Sequence, residues 1–161
     1  TSFDTIKVDL AQRNLGAVIL YGHNLANPTQ MKNLTDELNS YSELPLMIAT
    51  DQEGGRVSRL NSGNGFASTY TAAQLGTFNT ENHTRNAAKT MAGWLNSVGI
   101  NVNLAPVADV NVNPLSPAIG KLNRSFSSES LKDSCKPSNF SVSSRSSISL
   151  ADISEFFSSS S

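Results

Sequence analysis

The sequence predicts an α/β fold built on a parallel sheet. Two short apolar runs, Gly16-Ala17-Val18-Ile19-Leu20-Tyr21-Gly22 and Leu44-Pro45-Leu46-Met47-Ile48-Ala49, have strand length and no polar alternation, which suits strands covered on both faces. A third, Ile100-Asn101-Val102-Asn103-Leu104-Ala105-Pro106-Val107, alternates and then turns apolar. Segments with helical spacing lie between them, long enough for crossovers, so the order β-α-β-α-β places helices outside a parallel sheet. Three strands do not distinguish an open doubly wound sheet from a (β/α)8 barrel, which takes about 250 residues.

The elements follow in chain order. Phe3, Ile6, Val8, Leu10 and Leu15 suggest a short amphipathic helix leading into the first strand. Asn27-Pro28 is a helix start, a side-chain acceptor followed by a residue with no amide to satisfy. Met31, Leu34, Leu38 and Tyr41 keep helical spacing up to the second strand. A Gly/Asn/Ser loop, Asn61 to Ser68, separates that strand from a longer helix with Ala87, Ala88, Met91, Leu95 and Val98 on its apolar face, Trp94 beside them and Gly99 as its stop. From residue 127 to 161 serine dominates, and the isolated Phe140, Ile148, Phe156 and Phe157 carry no sustained period. That tail reads as disordered.

Bulk properties narrow the function. A chain of 161 residues suffices for one domain with a core. A net charge of −1 with 16% charged residues argues against a nucleic-acid partner or a basic membrane surface. No apolar run approaches the ~20 residues of a membrane span. The single Cys135 excludes an internal disulfide and a cysteine metal cluster, and His23 and His83 lack ligand spacing, so neither metal nor cofactor is expected. The first residues, Thr1-Ser2-Phe3-Asp4, are neither signal peptide nor initiator segment, and the chain reads as a piece of something longer or a processed product. Sequons at Asn33, Asn82, Asn123 and Asn139 permit secretion without showing it, which leaves secreted and cytoplasmic locations both open.

The most telling stretch is Asp51-Gln52-Glu53-Gly54-Gly55-Arg56-Val57, directly after the second strand. Two carboxylates, a glycine pair and an arginine at the carboxyl end of a strand mark the place where α/β folds hold ligands. Asp109 follows the third strand and His23-Asn24 the first, so a parallel sheet brings Asp51, Glu53 and Asp109 to one face. Each alone is an ordinary turn residue; their recurrence after successive strands favours a site. Arg56 and Arg59 are candidates to pair with these carboxylates. Arg124, in Gly120-Lys121-Leu122-Asn123-Arg124-Ser125-Phe126, suits either a surface ion pair or a donor to substrate hydroxyls. There is no Ser/His/Asp signature, phosphate loop or dinucleotide fingerprint.

Four blocks in order, 16–24, 45–60, 99–114 and 119–126, resemble the amino-terminal domain of glycoside hydrolase family 3, especially its β-N-acetylglucosaminidase branch. The resemblance implies a partial (β/α)8 TIM-type barrel over residues 1–126, about its first three β/α units, with 127–161 a divergent serine-rich tail. It implies retaining hydrolysis of a terminal β-linked sugar, a β-N-acetylglucosaminide or β-glucoside, with carbohydrate as the partner and no cofactor. It assigns substrate binding to Asp51 and Arg124. It supplies no catalytic residue: the family's Lys-His-Phe-Pro-Gly-His-Gly type block, its nucleophilic aspartate and its loop histidine have no counterpart, and Asp152 sits in a different setting. The match breaks near Ser127, as expected of an out-of-frame, mis-spliced or truncated copy. The expectation is an inactive fragment of a glycosidase, with a carbohydrate-binding remnant as the alternative.

Overall fold

The structure, a computed structural model, describes residues 3–13 and 15–129. Helix α1 (Phe3–Arg13) leads to strand β1 (Ala17–Ile19), helix α2 (Pro28–Ser40) and strand β2 (Met47–Thr50). A hairpin of β3 (Gln52–Gly54) and β4 (Val57–Ser58) follows, then α3 (Ala72–Phe78), α4 (Glu81–Ser97) and β5 (Val102–Asn103). Strands β1, β2 and β5 form one parallel sheet in the order β1-β2-β5, with Val18 opposite Ile48 and Ala49 opposite Val102. The β-α-β-α-β connectivity expected from the sequence is thus present.

Local chemistry sets the helix bounds. Asn27 caps α2 by accepting from the Gln30 amide at 2.9 Å, and Pro28 occupies the first turn, where a missing N–H is harmless. Met31 and Leu38 turn inward from α2 and join Leu10, Leu95 and Val98 against Leu20, Leu46 and Ile48 from the sheet. Thr35 on α2 is fully buried and donates to the Val98 carbonyl at 2.8 Å, tying α2 to the end of α4. Gly99 follows with φ +76°, and a Cβ there would run into Thr35, so only glycine serves at this stop.

Three expectations needed correction. The third strand is only Val102–Asn103, because its asparagine side chains supply part of the ladder and Pro106 has no amide to offer. Asn101 accepts from the Ile48 amide and donates to the Leu46 carbonyl, both at 2.8 Å. Asn103 makes the same pair of bonds with the Gln52 backbone, both at 3.0 Å. Secondly, β1 is covered on one face: Val18 packs on the core while Ala17 and Ile19 are exposed, Ile19 at 48%; β2 is buried as expected at Ile48, Ala49 and Thr50, with Met47 54% exposed at its start. Thirdly, the stretch before α4 contains a hairpin and a further helix, α3, neither of which has a strong period. Most of the serine-rich tail, with Cys135, Asn139 and Asp152, lies outside the described residues. Among the described residues no helix is long and apolar enough to cross a membrane.

Candidate functional site

The site begins where β2 ends. Thr50 is fully buried and donates to the Leu20 carbonyl at 2.8 Å, fixing β2 beside the residue that follows β1. Side chains alternate from there. Gln52 points inward and is fully buried; its Oε1 accepts from the Arg59 and Leu60 amides, both at 2.9 Å, and its Nε2 donates to the Leu60 carbonyl at 3.0 Å. One amide therefore satisfies three backbone groups and dictates how the hairpin returns. The turn needs its glycines: Gly54 and Gly55 have φ of +98° and +57°, and Cβ atoms there would strike the Tyr70 carbonyl and Thr71.

That return brings Arg59 alongside Asp51, Nη2 to Oδ2 at 2.9 Å. Asp51 Oδ1 keeps no hydrogen-bond partner among the described residues. Glu53 takes Arg124 in a two-pronged pair, Nε to Oε2 at 2.8 Å and Nη2 to Oε1 at 2.7 Å. Arg124 Nη1 donates to the Ala118 carbonyl at 2.9 Å. The Arg124 pKa is pushed above its ordinary value, first by the Glu53 hydrogen bonds and then by the charges of Glu53, Asp51 and Asp109, with burial opposing. The guanidinium is thus held cationic among three carboxylates.

The sequence candidates divide accordingly. Asp51 pairs with Arg59 and Glu53 with Arg124, and the charges of Asp51 and Asp109 add to those that raise the Arg124 pKa. His23 is exposed beside Tyr21, whose ring also lies 5.9 Å from the Arg59 guanidinium, and Asn24 closes the local turn by accepting from the Tyr21 amide. Arg56 is exposed. Gln52 and Tyr21 were missed; inward alternation from Thr50 was the signal for Gln52. Ser125 was also missed: it is buried, with its hydroxyl 2.6 Å from the Asp109 carbonyl, and anchors the segment beside Arg124. No cluster of three or more His, Cys, Asp or Glu suited to a metal occurs among the described residues. Chemically, the site offers a charged acceptor and a charged donor, the equipment for holding a polar ligand.

Comparison with known proteins identifies the family. The family described as "Glycosyl hydrolase family 3 N terminal domain" matches residues 2–134. A β-hexosaminidase A from Pseudoalteromonas piscicida is 39% identical over 125 residues, 73% of this chain and 21% of that protein. A solved glycoside hydrolase family 3 β-N-acetylglucosaminidase from Paenibacillus sp. str. FPU-7 superposes with a TM-score of 0.68 at 32% identity, covering 74% of this chain and 25% of its own. NagZ from Neisseria gonorrhoeae, solved with N-trifluoroacetyl-D-glucosamine, gives 0.64 at 26% identity over 80% of this chain and 38% of its own. The chain therefore spans between about a fifth and two fifths of the length of these three relatives. Profile, sequence relatives and solved structures converge on one conclusion: the chain belongs to the glycosyl hydrolase family 3 N-terminal domain family.

Proposed function

We propose that this chain is the sugar-holding sector of a retaining glycoside hydrolase that removes terminal β-linked sugars. N-acetylglucosaminides are favoured over glucosides, because the relatives are named as hexosaminidases and N-acetylglucosaminidases and one was solved with an N-acylated glucosamine. The observation that carries the reading is the pairing of roles at the β2 end. Asp51 has a free carboxylate oxygen for sugar hydroxyls, and Arg124, joined to Glu53 two residues on, has N–H groups left over for others.

The architecture we propose for residues 1–126 is the first three β/α units of a TIM-type barrel; the divergent serine-rich tail expected over 127–161 lies, from residue 130 on, outside the described residues. The two sheet faces support it. Val18, Leu20, Leu46 and Ile48 pack against helices, while Ile19, Met47 and Leu104 form an exposed apolar face of the kind a barrel turns inward. The chain as given is proposed to bind without turnover, since the resemblance assigns no nucleophile or acid/base to it. A second reading, a non-catalytic carbohydrate-binding remnant, is favoured by one feature: both carboxylates at the β2 end are held by arginines. An assay of the purified chain with 4-nitrophenyl N-acetyl-β-D-glucosaminide tests the reading. We expect no release of nitrophenol, together with weak binding of N-acetylglucosamine. Turnover that disappears in Asp51→Ala would make this chain an enzyme by itself; failure to bind any monosaccharide would remove the sugar-holding role.

A further inference from the structure

Resting on the sugar-holding reading, we infer that Glu53 is a positioning residue that aims Arg124 at the ligand without touching the ligand itself. Glu53 is the better buried partner, its side chain 7% exposed against 26% for Arg124. It grips one side of the guanidinium through Nε and Nη2, and the Ala118 carbonyl takes an N–H of Nη1. A guanidinium carries five N–H donors in one rigid plane. Three have protein partners, which leaves two, one on Nη1 and one on Nη2. With the plane clamped on two sides, those two N–H groups have a fixed direction. Asp51 stands two residues before Glu53 in the segment that holds the guanidinium, and its Oδ1 has no hydrogen-bond partner among the described residues.

The backbone at Arg124 is secured without Glu53. The Arg124 amide donates to the Ile119 carbonyl at 3.2 Å, the Asn123 carbonyl accepts from the Ala73 amide at 3.2 Å, and the buried Ser125 hydroxyl reaches the Asp109 carbonyl at 2.6 Å. Removing the Glu53 charge should therefore release the Arg124 side chain while leaving its loop in place. A residue that merely held the fold would behave in the opposite way.

The test uses the full chain, labelled with ¹⁵N, and follows arginine Nε–H signals during titration with N-acetylglucosamine. In the wild type the Arg124 Nε–H is protected from solvent exchange and shifts with sugar. In Glu53→Gln the protection is lost, sugar affinity falls about tenfold or more, and the melting temperature stays within a few degrees. Glu53→Asp, with the charge on a shorter arm, recovers part of the affinity, and it carries the same comparison should Glu53→Gln fail to fold. Wild-type affinity in Glu53→Gln, with binding lost in Arg124→Ala, would overturn the inference and leave the sugar site standing. No sugar-dependent shift anywhere in the wild type would remove the site and this inference with it.

Discussion

Gln52 shows how much a single side chain can organise. Its amide bonds three backbone groups of residues 59 and 60 from a fully buried position. Gln52→Leu keeps the volume roughly but strands two N–H groups and one carbonyl, so urea unfolding should show a loss of roughly 2–4 kcal/mol. The same change should loosen Arg59 from Asp51, because Gln52 positions the Arg59 amide. Gly55→Ala should also destabilise, by at least about 1 kcal/mol, since φ is +57° and Thr71 blocks the Cβ. Asp51 and Glu53 were readable as candidates because they follow an apolar strand. The Glu53–Arg124 pair was not, because its members are 71 positions apart and no local pattern links them. The tertiary fold alone decides between a surface ion pair and a buried clamp.

At the scale of elements, the sheet is joined by side chains as much as by backbone. Asn101 and Asn103 bond the backbone on either side of the β2–β5 pairing, and this explains why a two-residue strand suffices. Asn103→Ala removes both bonds to Gln52 and should cost roughly 1–3 kcal/mol in thermal or urea unfolding, more than a surface substitution. Asn27→Ala should cost about 1 kcal/mol through loss of the α2 cap, with amide exchange in the first turn of α2 as the local readout. Helices α2 and α4 were legible from their caps and apolar periods, and β1 and β2 from unbroken apolar runs. The β3–β4 hairpin was not legible, because strands of three and two residues are too short to carry a period and the Gly54-Gly55 turn alone does not announce one. The asparagines of β5 read as polar alternation when they are in fact ladder partners.

At the scale of the molecule, the described part is a sheet with helices on one face and exposed apolar side chains on the other. Ile19, Met47 and Leu104 are each about half exposed, at 48%, 54% and 49%. Such a face favours self-association, so Met47→Lys should lower the apparent mass in light scattering and reduce binding of a hydrophobic dye, while unchanged values would argue that the face is covered. The parallel topology was legible from the order of the segments; the bare face was not, because an apolar run looks the same whether one or both sides are covered. The central claim is that Asp51 and Arg124 grip one sugar together. Calorimetric titration of N-acetylglucosamine into the wild-type chain, Asp51→Ala and Arg124→Ala tests it most directly. The account predicts wild-type binding in the region of about 1 mM, roughly 4 kcal/mol, and loss of measurable heat in both variants with folding retained. Wild-type binding that survives in either variant would contradict it.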